Sequence, residues 1–593
     1  MYRAPLQDLH FVLADLLKTG ALNAHSRYSD YSLELADSVL EEAARFAEEI
    51  LEPANAVGDR QGAICTEGRV QLPDSFKSAY RQFQSSGWPL LAAEPEYGGQ
   101  GAPLVLASAA EELWFGTNVA FTLCPQLGRG ASEALLYAGS DALKQLYLTR
   151  LASGEWTGTM NLTEPQAGSD LAAIRTRAQP QGDHFLIFGQ KIFITFGEHE
   201  LAPNIVHLVL ARIDGAPAGV KGISLFVVPK YLPDASGAPG AHNDLRCVSI
   251  EHKLGIHGSP TCVMSFGDHG GATGYLVGEA NRGLEYMFVM MNSARLAVGV
   301  QGVGLAERAW QQARNWAQQR VQGKPVGALD ARATIAQHPD VKRMLLTLKS
   351  SAEAMRALAL YAALQLDLAR AQPDPGAAQA ALLRGELLIP VVKAWSTERA
   401  VELASLAIQV HGGMGFIEET GVAQTLRDAR ITSIYEGTTG IQANDLVGRK
   451  LARDQGATMR LLLQEVQQEL RQRRAAPAGC EALLDAAQEA VQGLERSTAA
   501  MVARLAQPAA NLAVAVPYLM QCGEALGGWL MARAAHLAVA QLAATGAAQT
   551  SFLRGKLQCA RFYLEHRMAE ALALERQVLA GAASVAEADA ALF

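Results

Sequence analysis

A mainly helical chain with a central β domain is the fold class the sequence predicts, on three observations. Apolar residues recur at three- and four-residue spacings up to about residue 151 and again after Gly283, as on the buried face of a helix. Between these regions, residues 185–194, 204–213 and 222–228 are short, rich in β-branched and aromatic residues, and bounded by Gly, Asp and Pro. The length of 593 residues, with 49% hydrophobic and 19% charged side chains, suits several packed domains and excludes a mainly disordered or collagen-like chain.

The first unit spans 1–159. Val39, Ala43, Phe46 and Ile50 mark one helix face, which Pro53 is expected to stop, and a turn at 95–101 precedes another helical run over 105–115. The whole stretch reads as all-helical. The β domain covers 160–278, with further strands at 247–250 and 261–266 and an exposed Pro/Gly/Ala-rich loop at 232–243. A helical bundle occupies 279–451, with helices over 283–320, 338–371 and 377–410. Pro325 closes the first helix, the turn 372–376 separates the other two, and Pro390 is expected to kink the third. A linker at 452–479, basic and then Ala/Pro/Gly-rich from 471, leads to a last helical domain at 480–593. No repeat of 20 to 50 residues suggests a solenoid.

Charge and cysteine usage narrow the function classes. A net charge of -8, from 51 Lys+Arg against 59 Asp+Glu, gives no broad footprint for nucleic acid. The seven cysteines are scattered and form no C-x-x-C pair, so reduced and mostly buried thiols are expected, with no metal site. Pro5, Asp8 and Asp15 interrupt the amino-terminal apolar residues, which lack a clean secretory core. Pro517, Gln521, Glu524, Arg533 and His536 cut the apolar region 509–544, which leaves no membrane span. A soluble cytoplasmic protein is expected.

Four segments carry candidate chemistry, and their positions at domain junctions suggest a ligand held there. In 160–170, Thr163, Ser169 and nearby amides could bond a heterocycle or phosphate, and Gly168 permits close backbone approach; a plain strand-to-turn connection is the alternative. In 191–197, an aromatic could cover a flat ring and a hydroxyl could bond its edge, or the segment is an ordinary strand. In 409–416, glycines could admit a pyrophosphate or simply cap a helix. In 434–442, Glu436 lies among apolar and small residues that could desolvate it and raise its pKa, as a general base for a carbon acid requires; a solvated surface glutamate is the alternative. Gly299, Gly302 and Gly304 imitate a nucleotide-binding glycine motif, but no strand precedes them, so close helix packing is the better reading.

Taken together, Thr163-Glu164-Pro165-Gln166-Ala167-Gly168-Ser169-Asp170, then Tyr435-Glu436-Gly437-Thr438 far downstream, the loop at 97–101 and the helix carrying Arg295 and Arg320 resemble the acyl-CoA dehydrogenase family. The resemblance spans roughly 35–450. The long amino terminus and the region after 451 look like its larger bacterial members, including those acting on 3-methylthiopropionyl-CoA or on a wide range of fatty acyl-CoAs. It implies an acyl-CoA dehydrogenase-like helical domain, a β-barrel-like domain and a helical bundle, with an extra C-terminal helical domain.

The resemblance also implies FAD, with its ring near Leu162, Thr163, Phe193 and Thr195, and Ser169 near the pyrophosphate or the CoA arm. Arg320, Gln322, Gln409, Gly412 and Gly413 would meet the FAD of a neighbouring subunit in a dimer or larger homo-oligomer, and Thr438 and Gln442 would complete the site. Arg295 would contact CoA, and Gly437 would lie against the substrate. Glu436 would remove the α proton during α,β-desaturation of an acyl-CoA thioester, while its own amide and an FAD hydroxyl polarise the thioester carbonyl. An electron-transfer flavoprotein would accept the electrons. Gln166, Asn292 and Gly440 depart from the commonest family pattern, and Ala294 removes an alternative position for the base. An oxygen-using acyl-CoA oxidase and a catalytically silent FAD- and CoA-binding assembly partner are the rival readings.

Overall fold

The computed structural model describes residues 2–326, 333–475, 479–544 and 550–592. In chain order its principal helices are α1 (Leu33–Phe46), α2 (Glu52–Gln61), α3 (Asp74–Ser85), α4 (Leu104–Ala138), α5 (Asp141–Ala152), α6 (Gly283–Gln319), α7 (Pro339–Ala371), α8 (Pro375–His411), α9 (Val422–Arg430), α10 (Thr439–Asp445), α11 (Ala457–Ala475), α12 (Glu481–Ala503), α13 (Ala515–Ala544), α14 (Thr550–His566) and α15 (Met568–Ala580). The chain forms two compact units. One comprises 45–102 and 117–294; the other comprises 1–44, 103–116 and 295–593.

The first of these units holds the β domain. Its strands are β1 (Ile64–Thr66), β2 (Arg69–Gln71), β3 (Thr157–Asn161), β4 (Arg177–Gln181), β5 (His184–Thr195), β6 (Ile205–Ile213), β7 (Ile223–Pro229), β8 (Tyr231–Pro233), β9 (Pro239–His242), β10 (Leu245–Ile250), β11 (Thr261–Phe266) and β12 (Ala272–Val277). The main sheet runs β10-β11-β5-β12-β7-β6-β3, and β4 pairs with β5 and β6. β3 is parallel to β6. β6 and β7 are apolar and buried along most of their length, the composition expected of strands covered on both faces. Trp156, Leu208, Leu210, Leu225 and Val227 join one core with Leu135 of α4 and Tyr147 of α5.

Three expectations for this unit need correction. Pro53 does not stop the first helix: a π-helical turn, Ala47–Leu51, joins α1 to α2, and Pro53 lies in the first turn of α2, where a missing N–H costs least. The amino-terminal region is not all-helical, because β1 and β2 form an antiparallel hairpin. The segment 232–243 is likewise no plain loop, since β8 pairs with β9, although β9 is exposed as expected.

In the second unit, α6, α7 and α8 form the bundle. A Cβ on Gly299 would come within 2.5 Å of Val392, and one on Gly302 within 2.7 Å of the Ser396 carbonyl, so these glycines serve close packing of α6 on α8. α8 runs through Pro390 without a break. α11 fills most of the expected linker, which the basic composition of 471–474 disguises; 476–478 lie outside the described residues.

The C-terminal helices pack on this bundle through α13. Cβ atoms on Gly523 and Gly527 would meet the Trp395 ring at 2.1 and 3.0 Å, so their absence lets the α13 backbone approach α8. Beside them the fully buried Glu524 accepts hydrogen bonds from Trp395 Nε1 (2.9 Å), Arg399 Nε (2.7 Å), Tyr563 Oη (2.7 Å) and Arg567 Nη2 (3.1 Å). A second buried cluster ties both chain ends to the bundle. Arg356 pairs with Asp8, Glu112 and Glu307, and Lys556 of α14 pairs with Asp8 and Glu353. Among the described residues no helix is long and apolar enough to cross a membrane.

Candidate active site

Sequence motifs at 160–170 and 191–197 meet in the β-domain unit. Lys191, on β5 and fully buried, donates to the Leu162 carbonyl (3.0 Å) and to Glu164 (2.8 Å), and Ile192 N donates to the Thr163 carbonyl (2.9 Å). Glu164 also accepts from the Arg175 and Thr176 amides, the Thr176 hydroxyl and Gln166 Nε2. Burial alone would raise its pKa, but the Lys191 charge and these donors bring it down to about 2. The Glu of the Thr-Glu-Pro motif is thus the anchor that fixes Leu162 and Thr163 against β5.

A β-bulge then shapes the other half of this platform. Four residues of β5, Lys191 to Ile194, span the register that β11 covers with three, Cys262 to Met264. The extra residue places Phe193 in the left-handed region at φ 59°, with its ring 58% exposed. A non-glycine residue in that region costs about 1–3 kcal/mol, a strain typical of functional sites. Thr195 follows on the same strand, part-exposed, and Ser169 and Gly168 lie exposed with open space where a Cβ on Gly168 would stand.

The other unit holds Glu436 in a turn between α9 and α10. Glu436 has φ 55° and Gly437 φ 93°, so two successive residues are left-handed. Gly437 is required twice over, because a Cβ there would also come within 2.7 Å of Gln442 Nε2. Thr438 N-caps α10, its hydroxyl accepting from Ile441 N. Gln442 Nε2 donates to the carbonyls of Glu436 (3.1 Å) and Gly437 (3.2 Å), Lys393 Nζ donates to the Gly437 carbonyl (2.7 Å), and Arg295 Nε reaches the Glu436 carbonyl (3.4 Å). The Glu436 side chain is part-exposed. Burial raises its proton affinity above the ordinary carboxylate value, while Arg295 and Lys393 pull it down. A reachable carboxylate of raised basicity, on a backbone fixed by several donors, is equipped to remove a proton from a bound carbon acid.

Arg295 lies in the same unit as Glu436. It is only 3% exposed, its Nη1 donates to Asp445 (3.1 Å), and its charge acts on Glu436. Arg320, Gln322, Gln409, Gly412 and Gly413 are all exposed. Stacking of Trp316 on His411 (5.1 Å) brings the end of α6 beside the glycine turn after α8. Met414 and Phe416, 46% and 87% exposed, extend that surface.

Comparison with known proteins decides the family. Four models match in order: "Acyl-CoA dehydrogenase, N-terminal domain" over 34–155, "Acyl-CoA dehydrogenase, middle domain" over 159–269, "Acyl-CoA dehydrogenase, C-terminal domain" over 281–451 and "Acetyl-CoA dehydrogenase C-terminal like" over 462–589. A 3-methylmercaptopropionyl-CoA dehydrogenase of Ruegeria pomeroyi is 48% identical over 96% of both chains. The chain belongs to the acyl-CoA dehydrogenase family. A broad-specificity linear acyl-CoA dehydrogenase of Mycobacterium tuberculosis is 36% identical over 95% of both chains. In fold, the enzyme is similar to a Bacillus anthracis acyl-CoA dehydrogenase solved with FAD, at 21% identity and a TM-score of 0.74, over 95% of this chain and 90% of that one.

FAD is the cofactor of this family, and residues present here fit it. Phe193 offers a strained, exposed ring face. Gln442 Oε1 is buried with no hydrogen-bond partner among the described residues, although its amide nitrogen is fully used. Gly168, Gly412 and Gly413 have nothing within 4 Å of an added Cβ, so no protein packing requires glycine there and the space is open to a ligand. Sequence reading singled out neither Lys191 nor Lys393. Each is a buried lysine beside a motif carboxylate, and an apolar run around a lone lysine is the one signal that could have found them.

Proposed function

We propose that this enzyme converts an acyl-CoA thioester to the trans-2-enoyl-CoA in the cytoplasm, with Glu436 as the base and an electron-transfer flavoprotein as electron acceptor. One observation carries the reading: a part-exposed carboxylate of raised proton affinity, on a left-handed backbone whose carbonyls are held by Arg295, Lys393 and Gln442. Its amide is assigned to the thioester carbonyl, where a donor lowers the cost of the enolate-like charge that grows as the α proton leaves. When bound, FAD supplies the acceptor for the β hydrogen as hydride. Leu162, Thr163, Phe193 and Thr195 are assigned to its ring, Ser169 to its pyrophosphate or to CoA, Thr438 and Gln442 to its polar edge, and Gly437 to the substrate.

Assembly as at least a dimer is part of the same proposal. Exposure of Arg320, Gln322, Gln409, Gly412 and Gly413 beside the apolar Met414 and Phe416 supports a second copy covering this surface and sharing its FAD. The 48% identity to a 3-methylmercaptopropionyl-CoA dehydrogenase supports a short, sulfur-containing acyl group as substrate. A panel of acyl-CoAs, assayed with an electron-transfer flavoprotein or dye and separately with oxygen alone, tests the proposal. Turnover with the flavoprotein and little oxygen uptake is expected; rapid hydrogen peroxide formation with no gain from the flavoprotein would make the enzyme an oxidase.

A further inference from the structure

Lys393 is fully buried on α8, yet no motif assigns it a role and its ammonium points to the turn that carries the base. Its one hydrogen bond in that turn, 2.7 Å to the Gly437 carbonyl, is shared with Gln442 Nε2, which holds the same oxygen at 3.2 Å. The two donors are therefore not equivalent. Gln442 Nε2 is neutral and divided between the Glu436 and Gly437 carbonyls, whereas Lys393 brings a charge to the Gly437 carbonyl at shorter range. We propose that Lys393 is a positioning residue for the base, anchoring the Glu436–Gly437 turn and setting the pH range in which the Glu436 carboxylate is free to take a proton. This rests on the reading of Glu436 as the base.

Charged groups on several elements surround the turn, and Arg430 of α9 donates to Ser433 at its start (3.0 Å). From α6 comes Arg295, paired with Asp445 of α10, which also holds Arg449. From α8 come Lys393 and Glu398, the latter accepting the Thr439 hydroxyl. On the turn itself Tyr435 donates to Gln301 and faces Asp428 of α9. The nearest acid of α13, Glu524, is saturated by Trp395, Arg399, Tyr563 and Arg567. Arg295 is thus divided between Asp445 and Glu436, while Lys393 is drawn mainly to Glu436. Burial pushes Lys393 down to about 7, with Glu436 pulling the other way, so its charge is itself poised near neutrality.

The sign of the effect follows. An opposite charge within a few ångströms lowers a carboxylate by about one to three pH units, so removing it raises the pKa of Glu436 and moves the acid limb of the rate profile upward. The experiment is anaerobic flavin bleaching of the holoenzyme by butyryl-CoA and by 3-methylmercaptopropionyl-CoA across pH, in the wild type, Lys393→Met and Lys393→Arg, with FAD content and melting temperature alongside. We expect Lys393→Met to shift the acid limb upward by about one unit or more, and Lys393→Arg, which keeps the charge, to restore it. If the methionine variant does not retain FAD, Lys393→Gln, which keeps a donor for the carbonyl without the charge, must show the same shift. An acid limb that stays in place in the uncharged variant that holds FAD overturns the proposal. The base assignment fails separately, when Glu436→Gln bleaches its flavin at the wild-type rate.

Discussion

Replacing Glu436 by Gln separates proton removal from packing. The substitution keeps the size of the side chain and the left-handed backbone at φ 55°, and it leaves the carbonyl contacts of Arg295 and Gln442 intact because these fall on the main chain. Losing a positioned base costs about 10² to 10⁴-fold, which is roughly 2.7 to 5.4 kcal/mol of barrier at 1.36 kcal/mol per decade. Stability should move the other way. Burial raises the pKa of Glu436 above its unfolded value, so the stability this group contributes is present below the ordinary carboxylate pKa of 4.5 and is lost as pH rises through the folded pKa. A neutral Gln has no such loss. The variant should therefore match the wild type in melting temperature at acid pH and equal or exceed it at neutral pH, with FAD and acyl-CoA binding kept. Stopped-flow bleaching, calorimetric melting at two pH values and FAD content give the three readings. Bleaching at the wild-type rate, or a variant less stable at pH 8 than at pH 4 relative to the wild type, would refute the reasoning.

Other expectations follow from the same contacts. Lys191→Met leaves Glu164 buried without its partner, so it should cost about 3–5 kcal/mol and lower FAD content; unchanged denaturant midpoint and FAD occupancy would contradict this. In the wild type, the Glu164 contribution is fully present above pH 4.5 and lost as pH falls toward about 2, and the variant should lose less over that range because the Lys191 charge is gone while the Arg175 and Thr176 donors remain. Glu524→Leu takes the buried acceptor from Trp395, Tyr563, Arg399 and Arg567, leaving the two arginines only the more exposed Glu402 and Glu570, and should cost about 3–5 kcal/mol, read as a lower midpoint. The holoenzyme should sediment as a dimer or larger and should not float with liposomes; a monomer retaining FAD would remove the shared-cofactor assignment of Arg320 and Gln409.

Periodicity made the long helices legible, because α7 and α8 carry continuous apolar faces bounded by Pro and Gly turns. β3 was less legible. Its Thr157, Thr159 and Asn161 are buried through hydrogen bonds to His199 and His207, so the strand shows neither alternation nor an apolar run. The π-helical turn before Pro53 also leaves no mark in composition. At the site, Glu436, Gly437 and Thr438 could be found because a short motif compresses a base, a left-handed glycine and a helix cap into three positions. Lys393 lies 43 residues earlier, on another helix, and only tertiary packing brings it to the Gly437 carbonyl. The burial of Arg295 against Asp445 was likewise not legible, because it depends on α10, which lies about 150 residues on.

The central claim is tested most directly by mixing wild-type holoenzyme with a saturated acyl-CoA in the absence of oxygen, following flavin absorbance and identifying the product by mass. One trans-2-enoyl-CoA should form for each flavin bleached, at a rate that falls when the α hydrogens are replaced by deuterium. Bound FAD that stays oxidised with every acyl-CoA tried, while those thioesters still bind, would contradict it.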